Sequence, residues 1–462
     1  MNVLKFGGTS VSSKVSLQNM LRIIESYNVE TEPLLIVVSA LKGITNDLLE
    51  LLEHLSKQDN DYREILTKIV NRHRDFVTFL FDEENIELIK ILENLEVELE
   101  KDVNKLLEQQ YVGSKDYDKI VSYGELFSAQ IVTSFLQKNN FSFLFKDSRN
   151  LIVTDDNFKN ARVNWEETSE RIITFFSENP SNYVITGFIG STIDGETTTL
   201  GRGGSDYTAT IFGTVLGAKS VTKWTDVNGI MTADPNKVSG ASSLTNITFD
   251  ELKNLSKFGS NVLVHPESIG QLSKHNIPFL IRNTFNHDFV GTQVINTHLS
   301  SQKALSLHQS CSIISFEKYW NLPKKVIKEI IDKDYLFFRI KTDNKDNRTY
   351  YVVADECIRF FTLENKHLTD VDYAEMKNNV ILEKRNIALI TITSQSMDKK
   401  YELNRIKALL EEEGIEVLGV RLFFNSISLI FDKGNFQEVL SLLHSCLAKT
   451  SLEGDYILQN NI

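Results

Sequence analysis

Thr197-Thr198-Thr199-Leu200-Gly201-Arg202-Gly203-Gly204-Ser205-Asp206-Tyr207-Thr208-Ala209 sets three glycines among one Arg, one Asp and a run of hydroxyl side chains. Residues 209–216 then read as a helix. Glycine lets backbone N–H groups come close to an anion, and a helix N-terminus adds the positive end of its dipole. Arg202 suits a carboxylate or phosphate, which it can hold by two parallel hydrogen bonds. Asp206 falls where the helix starts. A glycine-rich turn with an Asp cap, worth about 1 kcal/mol, accounts for the same composition.

The opening of the chain weakens that plain account, because Lys5-Phe6-Gly7-Gly8-Thr9-Ser10 is a second loop of the same kind. Residues 3–6 read as a short buried strand, Gly7-Gly8 turns the chain, and residues 11–25 are helix-like. Strand, glycine turn and helix make an anion cradle, with Lys5 as a mobile point charge. The Lys precedes the glycines, so this is neither a G-x-x-x-x-G-K loop nor a G-x-G-x-x-G fingerprint.

Working outward, residues 34–38 are an apolar strand ending at Ser39. Residues 46–110 are helical in pattern, charged, and free of proline and glycine. Leu88, Ile91, Leu92, Leu95 and Leu99 recur at helical spacing, which predicts a helical hairpin packed on the sheet rather than a coiled coil. Residues 183–186, 220–224 and 277–281 read as further strands. The alternation predicts an α/β fold with a mainly parallel sheet covered on both faces, a three-layer α/β/α domain over residues 1–298. Every candidate residue falls at the C-terminal end of a strand or in the loop beyond, where such sheets bind ligands.

The last third differs. Strands are expected at 311–316, 335–341, 350–354, 386–393, 417–422 and 426–431, with helices at 324–332, 403–413 and 436–447. That order predicts an α+β region over residues 305–462, separated from the first by a junction within 296–309 and no low-complexity linker.

Several segments, taken in order, resemble one family, the aspartate kinases of the amino-acid kinase superfamily. They are Lys5 to Ser10, then Val37-Val38-Ser39-Ala40 with Gly43-Ile44-Thr45-Asn46, then Tyr123-Gly124-Glu125. Gly187-Phe188-Ile189-Gly190, the block 197–209 and Trp224-Thr225-Asp226-Val227-Asn228-Gly229-Ile230-Met231-Thr232-Ala233-Asp234-Pro235 complete the set. The resemblance is strong over the first two thirds. For the remainder it implies paired ACT-like (βαββαβ) units, the ligand-sensing modules of that family.

The resemblance implies ATP-dependent phosphorylation of the side-chain carboxylate of L-aspartate, with Mg²⁺, as the first step toward lysine, threonine and methionine. Lys5 would stabilise phosphate charge, and Asp206 would organise Lys5 and nearby backbone donors. Gly7, Gly8 and Ser39 would supply donors. Arg202 would bind an aspartate carboxylate, Glu125 its ammonium, Thr45 would donate to a carboxylate, and Phe188 would shape the pocket. Thr225 and Asp226 would meet the adenosine, and Met231, Lys237, Asn261 and Val262 would complete the nucleotide site. On residue type alone, Glu125 serves equally as a first-turn acid of the helix that follows, Thr45 as an N-cap, and Asp226 as a turn residue bonding its own backbone.

Departures from the family pattern are equally specific. Asn236, with Lys237 next, stands where an Arg usually follows Asp-Pro. Asn261 stands for the usual Lys in Phe258-Gly259-Ser260-Asn261-Val262-Leu263-Val264-His265-Pro266, which also carries one extra residue. Met231 replaces a usual Tyr. These changes imply weaker nucleotide binding than in a typical relative. In the last third, 394–400 lacks the glycine turn that would admit an effector's backbone contacts. Dimerisation through this region is at least as well supported as sensing.

Composition sets the outer bounds. The chain has 462 residues, 41% hydrophobic, and a formal net charge of −12, which argues against nucleic-acid or membrane-surface partners. Cys311, Cys357 and Cys446 are too dispersed for a metal or disulfide pattern. No apolar run approaches a membrane span, and the start leads straight into a strand, so a cytoplasmic protein is expected, and the ACT-like resemblance implies a homodimer through that region. Two other readings stay open: a catalytically weak regulatory or scaffold homologue pairing through the ACT-like region, and a kinase for another amino acid.

Overall fold

The computed structural model describes residues 1–81, 85–259, 264–297, 302–318, 322–332, 335–341, 347–361, 379–394 and 396–459. The chain divides into two compact units, Met1–Ile230 with Val264–Ile295, and Met231–Leu263 with Asn296–Ile462.

The first unit is built on a twisted sheet. Its strands lie in the order Phe143–Lys146, Asn182–Thr186, Leu34–Val38, Asn2–Phe6, Val221–Thr225, Phe279–Asn283 and Thr292–Ile295. Neighbours pair in parallel except for the last two, which are antiparallel. Leu34–Val38 is apolar at every position and buried at every position, as expected of a strand covered on both faces. Side chains alternate between faces. Leu4, Phe6, Ile36 and Val38 join a core with the helix Ser114–Lys138, whereas Lys5, one residue out of phase, meets the helix Gly204–Val215. The expected α/β/α layering is therefore present.

The charged stretch expected to form a hairpin forms three helices, Ile44–Lys57, Tyr62–Leu80 and Ile86–Gln109, which Ser114–Lys138 follows. Gln58 and Gln110 end two of them in the left-handed region (φ 56° and 53°), a termination that glycine usually signals. Asp47 ties the first helix to the second through Lys68 at 2.8 Å and Arg72 at 2.5 Å. Arg74 pairs with Glu96 of the third.

The second unit carries an antiparallel sheet in the order Phe337–Arg339, Arg348–Ala354, Ala304–Glu317, Val380–Thr393, Ser426–Asp432 and Gly419–Leu422. Helices Lys324–Asp332, Lys399–Glu412 and Phe436–Gln459 accompany it. This is the expected mixed α+β, ACT-like arrangement. Its two halves share one sheet, because Ala304–Glu317 pairs with Val380–Thr393. Met231–Leu263 belongs to this unit. Ala233 and Val238 are buried with Leu305, Ile390 and Leu440, and the Thr232 carbonyl accepts from Leu305 N–H at 2.7 Å. Among the described residues, no helix is long and apolar enough to cross a membrane.

Candidate active site

The C-terminal ends of the parallel strands bring a buried cluster of charge together. Lys5 is next to last in its strand, and Asp206 is the third residue of the helix Gly204–Val215. Lys5 Nζ lies 2.8 Å from Asp206 Oδ1, an ion pair. Lys223 Nζ donates a hydrogen bond to the other oxygen, Oδ2, at 2.8 Å. Lys5 is 8% exposed and Asp206 5%. Burial lowers the Lys5 ammonium below the usual lysine range, and the Lys223 charge adds to this against the pull of Asp206. Burial alone would raise Asp206, but Lys223 and then Lys5 outweigh it and hold the carboxyl at about 2. Asp206 is not the N-cap; that position is Gly203, at φ 74°. The helix starts five residues earlier than its apolar pattern predicts, within the glycines themselves.

Close approach explains those glycines. A Cβ on Gly8 would sit 2.8 Å from the Ala40 carbonyl, and one on Gly204 would sit 2.6 Å from the Phe188 ring. The Gly7 N–H donates to the Trp224 carbonyl at 3.3 Å, joining the two lysine-bearing strands at their ends. Ser39 N–H donates to the Phe6 carbonyl at 3.1 Å, which places Ser39 at the same end of the sheet. Phe188 holds a left-handed backbone at φ 70°, costly for a residue with a Cβ, with its N–H on Thr208 Oγ1 at 2.9 Å.

Glu125 is a mid-helix residue, not a first-turn acid. It sits deep in Ser114–Lys138 and is buried. A Cβ on Gly124 would lie 2.9 Å from that of Ala40, so the glycine lets the helix close on the loop after Leu34–Val38. Glu125 Oε1 there accepts from Ala40 N–H at 3.3 Å, while Oε2 finds no partner in the protein. Burial pushes its carboxyl up to about 8, against the opposing effects of that bond and of Lys5. Thr45 is likewise no cap: Gly43, at φ 87°, caps the helix Ile44–Lys57, and half-buried Thr45 stands in its first turn. Arg202 is exposed, between Gly201 and Gly203. The strand leading to it is clamped by buried Asp118, which accepts from Thr199 N–H at 2.9 Å and from Thr199 Oγ1 at 2.8 Å.

Thr225 ends the strand Val221–Thr225, its carbonyl accepting from Thr284 N–H at 2.8 Å and its hydroxyl donating to Asp226 Oδ1 at 3.2 Å. Asp226 is exposed. Met231 and Lys237 belong to the second unit, where Met231 bridges Ser243 and Lys237 pairs with Asp234 at 3.4 Å. Asn261 and Val262 lie outside the described residues.

The residue that sequence reasoning left without a role is Lys223. A signal for it existed. Val3-Leu4-Lys5-Phe6 and Val221-Thr222-Lys223-Trp224 share the order apolar, any, Lys, aromatic. The two strands pair in parallel with Lys5 opposite Lys223 and Phe6 opposite Trp224.

Comparison with known proteins gives the family. Residues 1–283 match the amino acid kinase family. An aspartokinase of Chlamydia pneumoniae is 33% identical over 325 residues, 68% of each chain. The chain belongs to the amino acid kinase family, in its aspartokinase branch. The bifunctional aspartokinase/homoserine dehydrogenase 2 of Arabidopsis thaliana is 34% identical over 297 residues, 63% of the present chain. The chain spans 32% of that relative's length. Among solved structures, E. coli aspartokinase III in complex with aspartate and ADP is similar over 96% of this chain and 99% of its own, with a TM-score of 0.79 at 25% identity.

Proposed function

We propose that this chain transfers the γ-phosphoryl group of ATP to the side-chain carboxylate of L-aspartate, giving 4-phospho-L-aspartate, the entry to lysine, threonine and methionine synthesis. The observation that carries the reading is Asp206 held between two lysines at the strand ends, beside the Gly7-Gly8 turn. The E. coli neighbour bound to aspartate and ADP supports the choice of substrates. A coupled assay of ADP release with ATP, Mg²⁺ and aspartate tests it; no aspartate-dependent turnover overturns it. A purely regulatory role is not favoured, since Lys5, Glu125, Arg202 and Asp206 are all present.

The chemistry asks for positioning and charge neutralisation. The aspartate carboxylate is ionised at neutral pH and is itself the nucleophile, so no strong base is required. One of its oxygens bonds to the γ-phosphorus, the bond to the β–γ bridging oxygen breaks, and the electron pair leaves with ADP. Lys5 meets the charge on the transferring group, and Asp206 positions Lys5. Arg202 takes a carboxylate of aspartate, Glu125 the ammonium, and Ser39 and Thr45 donate hydrogen bonds. Phe188 shapes the pocket, with Gly7 and Gly8 lining the phosphate side. Thr225 and Asp226, at the end of the strand Val221–Thr225, serve the nucleotide. Bound with the nucleotide, Mg²⁺ would supply further charge neutralisation at the phosphates; Asp206, already holding two lysines, would not be its main ligand.

We assign catalysis to residues 1–298 and a regulatory, dimerising role to 305–462, in a cytoplasmic homodimer. Light scattering of the full chain reads its mass, and a monomer removes the dimer from this proposal.

Arg202→Lys is expected to raise the KM for aspartate at least tenfold while moving that for ATP little, because an ammonium cannot reproduce a two-point guanidinium contact. Equal rises in both would place Arg202 at the phosphates.

Glu125 has a pH signature. Its folded pKa, about 8, lies above the ordinary carboxyl value of 4.5. Its protonated form therefore favours the folded state fully below pH 4.5, and that contribution, on the order of 5 kcal/mol, is lost as pH rises through 8. Glu125→Gln should flatten the fall in stability between pH 5 and 8. The aspartate ammonium should ionise Glu125, so aspartate binding at pH 7 should release a proton in the wild type and none in Glu125→Gln. Calorimetry in buffers of different ionisation enthalpy measures this; equal release by both proteins would show that the ammonium is held elsewhere.

A further inference from the structure

We propose that Lys223 is a second phosphate-facing cation, flanking the terminal phosphates of the nucleotide from the side of Asp206 opposite Lys5. This rests on the phosphoryl-transfer reading above. The row across the sheet at this level runs Val37, Lys5, Lys223, Ile281. Its outer members are apolar, so the fold at this level has no need of a cation, and lysine is disfavoured in a central strand. Two lysines nonetheless stand side by side, on strands about 4.8 Å apart, and turn to the two oxygens of one carboxylate.

One lysine would suffice to balance Asp206. A second brings a further burial cost and repulsion from the first. Buried, mutually perturbing charges of this kind cluster at functional sites. Both ammonium groups sit at the C-terminal ends of parallel strands, next to the Gly7-Gly8 turn and the first turn of the helix Gly204–Val215. That end of the sheet collects anions. Lys223 keeps 19% of its side chain exposed, against 10% for Lys5, so it is the more accessible of the two.

The test needs no variant at first. The wild-type enzyme is acetylated at low reagent concentration, with and without a non-hydrolysable ATP analogue and Mg²⁺, and each lysine is read by mass spectrometry. Protection of both Lys5 and Lys223, at least fivefold, is the expected result. Protection of Lys5 alone overturns the role of Lys223 and leaves the kinase reading standing; protection of neither overturns both.

Kinetics of Lys223→Met then separate charge from structure. The expected change is a loss of at least thirtyfold in kcat, a weaker KM for ATP, and a KM for aspartate within twofold of wild type. Lys5 is faced by Asp206 from its helix, Lys223 from the next strand and Glu125 from Ser114–Lys138, while His265 faces Asp206. Removing Lys223 takes away the repulsion, so the alkaline limb of kcat should move to higher pH. A kcat within threefold of wild type, with that limb unmoved, would make Lys223 a structural counter-charge only.

Discussion

Lys5→Met should lose a hundredfold or more in kcat, about 2.7 kcal/mol of barrier, while the protein stays folded and its KM for aspartate stays within twofold. Methionine fills nearly the volume of the lysine stem, and Leu4, Phe6 and the paired strands hold this position from both sides. What the change removes is an ammonium 2.8 Å from Asp206, beside the Gly7-Gly8 turn. A preorganised charge of that kind acts where negative charge develops during transfer, so the loss belongs in kcat rather than in substrate binding. Initial rates at saturating ATP and aspartate give the answer. If the variant keeps more than about a tenth of wild-type kcat, less than ~1.4 kcal/mol is at stake and the phosphate role assigned to Lys5 is wrong.

Five strands of the first unit were legible as short apolar runs, at 3–6, 34–38, 183–186, 220–224 and 277–281, whereas Phe143–Lys146 and Thr292–Ile295 were not. Lys5 and Asp206 were legible as partners of the glycine turns. The start of the helix after Gly203 was not, since its first turn is Gly204-Ser205-Asp206, residues that by propensity mark a loop. Here close contact with Phe188 and the pull of the two lysines on Asp206 override propensity. Three helices in place of a hairpin escaped notice because left-handed Gln58 and Gln110 carry no glycine. In the second unit the strands of the antiparallel sheet and the helices Lys324–Asp332, Lys399–Glu412 and Phe436–Gln459 were legible singly, whereas the helix Phe249–Phe258 was not. The joining of Ala304–Glu317 to Val380–Thr393 in one sheet was not, because strand pairing over such a separation leaves no local trace. Lys223 was missed for the same reason: its meaning appears only when its strand is laid beside Lys5 in register.

Asp206→Asn tests the centre of this cluster by stability as well as by rate. The amide keeps the shape but leaves two buried ammonium groups without a counter-charge, a loss typically about 3–5 kcal/mol when one partner of a buried pair is removed. Turnover should fall by at least a hundredfold, since Lys5 is no longer held. The pH dependence carries the sharper test. The folded carboxyl titrates at about 2, below its ordinary 3.8. Its contribution is therefore complete above pH 3.8 and is lost as pH falls through 2, roughly 2 kcal/mol in all. The asparagine variant cannot lose it. Urea midpoints of the two proteins should thus lie a constant distance apart from pH 7 to about 4.5 and converge as pH drops toward 3. A gap that stays constant to pH 3, or widens, would mean that Asp206 is not held ionised by Lys223 and Lys5, and the charge cluster could not work as described.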